Sequence, residues 1–178
     1  VVNRSLLRFA CQGYEVTYLK PDRSGHVSPD ALRAALRPDT VLVSMMLVNN
    51  ELGTLLPVAE AAQAIRDAGS PALLHCDAVQ AFLKVPFTPA ELGVDLLTLS
   101  GHKIRAPKGI GVQYIRRGLN LKPLLTGGGQ EGGLRPGTEP TAQAYCNLKP
   151  YVEVHPYLCR QLFQILLSLL LHHCTCED

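Results

Sequence analysis

Val41-Leu42-Val43-Ser44-Met45-Met46-Leu47-Val48 is apolar at every position but one. A run of this kind marks a strand covered on both faces, and its flanks decide the fold. Downstream, residues 57–68 form an alanine-rich stretch closed by Gly69, the pattern of a helix with a glycine stop. Two further short apolar runs, residues 72–76 and 96–99, read as buried strands, and residues 111–116 are another candidate after the Pro107-Lys108-Gly109 turn. Upstream, Ser28-Pro29-Asp30 opens a helix through residue 37. Ser28 can cap it, Pro29 suits the first helical position, and Leu32 and Leu36 share a face. Tyr14-Glu15-Val16-Thr17-Tyr18-Leu19 alternates and is rich in β-formers, which predicts one more strand. Strands separated by helices predict an α/β domain: three layers, with a largely parallel mixed sheet flanked by helices.

Composition agrees with a folded domain. The chain has 178 residues, 47 % hydrophobic and 18 % charged, enough to bury a core and unlike a disordered chain. A net charge of +2, with basic and acidic residues interspersed, gives no nucleic-acid footprint. The start, Val1-Val2-Asn3-Arg4-Ser5, resembles neither a signal peptide nor a transit peptide. The longest apolar stretch, residues 162–171, is broken by Gln164 and Ser168 and falls short of the roughly 20 residues a spanning helix needs. A cytoplasmic protein without membrane contact is expected. The six cysteines, Cys11, Cys76, Cys146, Cys159, Cys174 and Cys176, are irregularly spaced and read as reduced thiols. His172-His173-Cys174-Thr175-Cys176 holds metal-ligand residue types without a second cluster at zinc-finger spacing, so no metal is expected.

Three polar clusters follow three of the strands: Asn49-Asn50-Glu51, Asp77, and Ser100-Gly101-His102-Lys103. Sites in parallel sheets collect at the carboxyl ends of strands. Taken singly, each residue has a plain structural explanation. A loop lysine is usually a solvated charge, and an aspartate before Ala78-Val79-Gln80 can cap a helix. Gly127-Gly128-Gly129-Gln130-Glu131-Gly132-Gly133 lacks the Gly-Lys-Ser/Thr ending of a P-loop. Lys108-Gly109-Ile110-Gly111 lacks the third glycine of a dinucleotide fingerprint. The first of these stretches reads instead as a loop presenting Arg135 and Thr138 to an anion.

Four motifs stand in one order: Asn49-Asn50-Glu51-Leu52-Gly53; His75-Cys76-Asp77-Ala78-Val79-Gln80; Ser100-Gly101-His102-Lys103-Ile104 with Pro107-Lys108-Gly109-Ile110-Gly111; and Gly127-Gly128-Gly129-Gln130-Glu131 with Arg135-Pro136-Gly137-Thr138-Glu139. Together they resemble the cysteine desulfurases, class-V members of the fold-type-I pyridoxal-phosphate enzymes, from about residue 13 to residue 142. The resemblance implies the large-domain fold of those enzymes and pyridoxal 5'-phosphate as cofactor. Lys103 would be the Schiff-base lysine and Asp77 the partner of the pyridine nitrogen. Gln80 and Asn50 would contact the ring-oxygen side, and Ser100 and His102 the phosphate. Thr138 would reach the phosphate held by a second subunit of a homodimer. The implied reaction takes sulfur from L-cysteine, leaving L-alanine and a persulfide on an enzyme cysteine. That sulfur passes to acceptor or scaffold proteins for iron–sulfur clusters, or to thiolated tRNA and cofactors. The residue types suit this chemistry: the cofactor needs a lysine, an acid for its ring nitrogen and donors for its phosphate. A lysine taken out of water is the better nucleophile.

The sequence departs from the family pattern in three places. It begins past the family's ring-stacking histidine and its first phosphate loop. Arg105-Ala106 stands where an aromatic or small residue and a glycine are usual. After Ala144 the resemblance stops, and none of Cys146, Cys159, Cys174 or Cys176 has the Ser- and Gly-rich setting of the catalytic-cysteine loop. The arginine for the substrate carboxylate has no counterpart either. These departures predict a partial cofactor-binding domain over residues 1–144 and an aberrant segment over 145–178, helical at 158–171 or disordered. They predict a truncated or frame-shifted product, inactive as a desulfurase by itself. Two other readings are a selenocysteine lyase or related β-eliminating lyase, and a non-catalytic interaction or dimerisation module.

Overall fold

The computed structural model describes residues 10–106, 108–139 and 141. Its elements follow in the order α1 (Pro29–Ala35), β1 (Leu42–Met46), α2 (Val58–Asp67), β2 (Leu73–Asp77), α3 (Pro89–Leu92), β3 (Leu96–Ser100) and β4 (Gly111–Ile115). Two 3-10 turns, Gly101–Ile104 and Gln130–Gly133, complete them. The four strands form one sheet in the order β1-β2-β3-β4. β1 and β2 are parallel, as are β2 and β3, while β4 runs antiparallel to β3. This is the largely parallel mixed sheet with flanking helices that the strand–helix alternation predicts.

The helices form where their ends are satisfied. Ser28 accepts a hydrogen bond from the Asp30 amide at 3.2 Å, and Pro29 occupies the first turn, where its missing N–H costs nothing. Expected through residue 37, α1 stops at Ala35 because Leu36 is already extended (ψ 133°). Pro38 disfavours helical geometry at Arg37, so the helix has to end at or before that residue. Val58, Ala61, Ala62, Ala64 and Ile65 make one buried face of α2, while Gln63, Arg66 and Asp67 bond one another on the outside. Gly69, at φ +59°, takes the left-handed turn that ends it.

Alternate residues of the strands face the helices. Leu74, Cys76, Leu97 and Leu99 are buried with Leu32, the α2 face, Phe82, Phe87 and Leu92 in one core cluster. His75, Asp77 and Thr98 lie on the opposite face and are half-buried. Among the described residues β1 is an edge strand, with Val41 61 % and Leu42 39 % exposed. Cover on both faces, expected for residues 41–48, is therefore not supplied by the described residues.

Residues 14–19 do not form the expected strand. They pair with no strand among the described residues, and Tyr14 and Tyr18 are 53 % and 52 % exposed. Alternation specifies a surface that suits a sheet, but a strand also needs a neighbour to take its backbone hydrogen bonds. Glu15 instead forms an exposed ion pair with Arg37, and Leu19 packs against the core. No helix among the described residues is long and apolar enough to cross a membrane. The expected helix at 158–171, the histidine–cysteine run at 172–176 and four of the six cysteines lie outside the described residues.

Candidate active site

The parallel register brings the polar clusters to one edge of the sheet. Met46 of β1 pairs with Asp77 of β2, and Asp77 pairs with Thr98 of β3. The loops that follow Met46, Asp77 and Ser100 therefore leave the sheet side by side at its carboxyl end, where α/β sheets hold ligands. Asn50, Gln80, His102 and Lys103 sit on these three connections, and Asp77 and Ser100 end the strands that lead into two of them.

After β1 the chain makes a tight loop. Val48 bridges Leu55, and Asn49 donates to the Thr54 carbonyl at 2.9 Å. The Asn49 side chain closes the loop by accepting from the amides of Glu51 (2.8 Å) and Leu52 (2.9 Å). Asn49 is thus used structurally, and the neighbouring Asn50 is exposed.

Asp77 ends β2. Its backbone is held on both sides: the carbonyl accepts from the Leu47 amide at 2.9 Å, and the next amide, of Ala78, donates to the Thr98 carbonyl at 3.0 Å. Its Oδ1 accepts from the Val79 amide at 3.0 Å, the capping contact that a lone aspartate at a strand end invites. Among the described residues this is the hydrogen bond its carboxylate accepts, so Oδ2 keeps its lone pairs for another donor. Gln80 follows in the next turn, where its Oε1 accepts from Lys84 Nζ at 3.0 Å.

After β3 the chain turns at once. A side chain at Gly101 would put its Cβ 2.6 Å from Ile110 Cγ2 and 3.2 Å from both Ala106 Cβ and the Ile110 carbonyl oxygen. Only glycine fits there. The Gly101 amide donates to the Ile110 carbonyl at 3.0 Å, and Arg105 closes the turn in the left-handed region at φ +63°. Gly101 and Ile104 are buried, and His102 and Lys103 are exposed. Ser100 Oγ lies 2.7 Å from His102 Nδ1. Lys103 makes no ion pair among the described residues. Removal of its amine from water, which favours a nucleophilic lysine, is not provided by the described residues.

Thr138 makes no hydrogen bond to these residues among the described contacts. It is exposed in the glycine-rich loop, whose contacts are internal: the Gly137 amide donates to Gln130 Oε1 at 3.2 Å, and Arg135 donates to the Pro136 carbonyl at 2.6 Å. Cys76, beside Asp77, is fully buried, and burial followed by the Asp77 charge pushes its thiol up to about 12. A thiol so raised is inert at neutral pH.

One side chain near the site has no role in the sequence reading, although it stands inside a quoted motif. His75 shares the strand face of Asp77, two residues upstream. Its ring nitrogens lie 2.8 Å from Ser44 Oγ and 2.8 Å from Thr98 Oγ1. Burial lowers its pKa, and the Asp77 charge opposes that shift. The signal was available as isolated polar residues at alternate positions of otherwise apolar strands.

Comparison with known proteins places these features in one group. A family model described as Aminotransferase class-V matches residues 5–146. Cysteine desulfurase 2 of Trichormus variabilis is 53 % identical over 128 residues, covering 72 % of this chain and 32 % of the relative. Cysteine desulfurase IscS of Methanosarcina thermophila is 50 % identical over 128 residues, covering 72 % and 31 %. The chain thus spans about a third of the length of these curated relatives. Among solved structures, SspA in complex with cysteine superposes with a TM-score of 0.78 at 39 % identity, over 82 % of this chain and 42 % of that one. A NifS-like protein gives 0.79 at 34 % identity, over 94 % and 43 %. DndA from Streptomyces lividans gives 0.74 at 44 %, over 82 % and 42 %.

Proposed function

The chain belongs to the class-V aminotransferase family, and on that premise we propose that it carries the cofactor-holding part of a pyridoxal-phosphate-dependent cysteine desulfurase. The observation that carries this reading is the register of β2 and β3. It sets Asp77 and the Ser100–Lys103 turn side by side at the carboxyl end of the sheet.

The residues present fit the cofactor. Asp77 offers Oδ2 to a protonated ring nitrogen, and Lys103 offers an amine that no carboxylate engages among the described residues. The Ser100 hydroxyl and the His102 imidazole lie 2.7 Å apart, and with one proton used between them the pair turns its remaining donor to a phosphate. Bound there, pyridoxal phosphate would supply the electron sink that makes the Cα proton of an amino acid acidic. The protein's own work is then specific. Asp77 holds the proton on the ring nitrogen, and Asn50 and Gln80 bind on the ring-oxygen side. Lys103 holds the cofactor and afterwards moves the proton at Cα. Thr138, exposed in the glycine-rich loop, suits a contact to the phosphate of a second copy, with a homodimer as the working form.

L-cysteine as substrate is supported by the names of the relatives and by the solved complex of SspA with cysteine. In the whole protein its sulfur would pass to an enzyme thiol as a persulfide, with L-alanine released, and then to an acceptor or scaffold protein for iron–sulfur assembly. Cys76 is unsuited to that step, since it is buried with its thiol pushed up to about 12. The nucleophile is therefore a thiol other than Cys76; Cys11, the other described cysteine, is exposed but has no Ser- and Gly-rich loop around it. A cytoplasmic setting and a domain boundary near residue 144 complete the proposal, the latter supported by a family match that ends at residue 146.

Titration of the chain with pyridoxal phosphate tests the reading. An absorbance band at the edge of the visible, present in the parent and lost in Lys103→Ala, is expected. A band unchanged by that substitution would end the assignment of Lys103.

A further inference from the structure

Four polar side chains cross the sheet in a line on the face opposite the core. Gln113 of β4 donates from Nε2 to the Tyr114 carbonyl at 3.1 Å, which turns its Oε1 toward β3. There the Thr98 hydroxyl donates to it at 2.9 Å. A hydroxyl has one proton, so toward His75 the Thr98 oxygen can only accept. The 2.8 Å contact with His75 Nε2 makes that nitrogen the donor. A neutral imidazole then leaves Nδ1 bare, and Ser44 Oγ, 2.8 Å away, donates to it. Every bond runs in one direction, from β1 to β4, and selects one tautomer of His75.

Thr98 is also the cross-strand partner of Asp77. A hydroxyl with an uncommitted proton in that position would serve a neighbouring carboxylate well, because charge-assisted hydrogen bonds are stronger than neutral ones. The row sends the proton the other way. Asp77 keeps its contact with the Val79 amide, and its Oδ2 stays without a donor among the described residues.

We propose that Ser44, His75, Thr98 and Gln113 form a positioning network for Asp77: by committing the Thr98 proton to Gln113, the row leaves the Asp77 carboxylate open to a cationic ring nitrogen, a role that rests on the cofactor site proposed above. None of the four touches that site; each acts through its neighbour. Burial of His75 lowers its pKa, which agrees with a neutral ring in the middle of the row.

The test uses the full 178-residue chain without cofactor, with nitrogen-15 in histidine and carbon-13 in aspartate. Long-range proton–nitrogen correlation reads the His75 tautomer, identified by loss of its signal in His75→Gln. The parent is expected to carry its proton on Nε2 at neutral pH. Gln113 is exposed, so its substitution leaves the core alone. Gln113→Leu removes the acceptor, and the Thr98 proton must turn either to His75 Nε2, inverting the tautomer, or to Asp77, moving its carboxyl carbon resonance. Gln113→Glu keeps an acceptor oxygen and should leave both signals at their parent positions. In titrations with pyridoxal phosphate, Gln113→Leu should bind several-fold more weakly than the parent, and Gln113→Glu should match it.

A proton on Nδ1 in the parent overturns the network. So does a Gln113→Leu chain whose two signals are both unmoved while cofactor is still captured by Lys103, and that result leaves the cofactor reading standing. A row that responds as expected in a chain that captures no cofactor overturns the cofactor reading and, with it, the role given to Asp77.

Discussion

Asp77 and Thr98 are cross-strand partners in the parallel β2–β3 pair, joined just beyond the strand by the Ala78 amide on the Thr98 carbonyl at 3.0 Å. The carboxylate at the end of β2 is thus anchored to the strand that leads into Ser100 and Lys103. The backbone that carries the acid and the strand that leads to the amine are held together before any ligand arrives. Such preorganisation is what lets a rigid sheet position a cofactor.

The first prediction concerns that acid. Asp77→Asn keeps the shape and an acceptor oxygen for the Val79 amide but removes the charge that would hold a ring nitrogen protonated. Cofactor affinity should fall about tenfold or more, roughly 1.4 kcal/mol or above, as followed by absorbance titration. Equal affinity in both chains would remove Asp77 from the site.

Gly101→Ala should destabilise the chain. Its Cβ would sit 2.6 Å from Ile110 Cγ2 and 3.2 Å from the Ile110 carbonyl oxygen, and overpacking of this kind costs about 1–3 kcal/mol. Thermal melting should fall by several degrees. Gly129→Ala is the control, since nothing lies within 4 Å of its Cβ position, and it should stay within about 0.5 kcal/mol of the parent.

His75 makes stability depend on pH in a stated direction. Burial lowers its pKa from the ordinary 6.5, so on acidification the unfolded chain binds a proton before the folded one does. Stability contributed by the neutral, hydrogen-bonded ring is full above pH 6.5 and is lost as pH falls through the lower folded-state value. Urea midpoints measured downward from pH 7.5 should drop in this window for the parent and drop less for His75→Gln.

The thiols should separate by reactivity. Cys11 is exposed and Cys76 is buried with its thiol pushed up to about 12. A thiol reagent at pH 8, with peptides mapped by mass, should modify Cys11 in the native chain and Cys76 only in denaturant. Native labelling of Cys76 would contradict the packing of β2 against the core.

Much of this was legible in the sequence, for physical reasons. The apolar runs that became β1, β2 and β3 leave little choice of structure, and the clusters that follow them had to emerge where parallel strands end. Lys103 and Asp77 were therefore legible as a pair. Two things were not. Residues 14–19 have the alternation of a strand, but pairing depends on a neighbour that local pattern does not reveal. The polar row was hidden for a similar reason: its members are 31, 23 and 15 positions apart, and only the register brings them together. Thr138 is the reverse case, a residue singled out by its motif alone, with no described hydrogen bond that ties it to the cluster.

The central claim is that Lys103 holds the cofactor, and the most direct measurement is chemical. The chain is incubated with pyridoxal phosphate, reduced with borohydride to make the attachment permanent, digested, and its peptides weighed. The account predicts the added mass on Lys103, at one equivalent and ahead of Lys20, Lys84, Lys108, Lys122 and Lys149. Label spread evenly over these lysines, or concentrated on any other one, would contradict it.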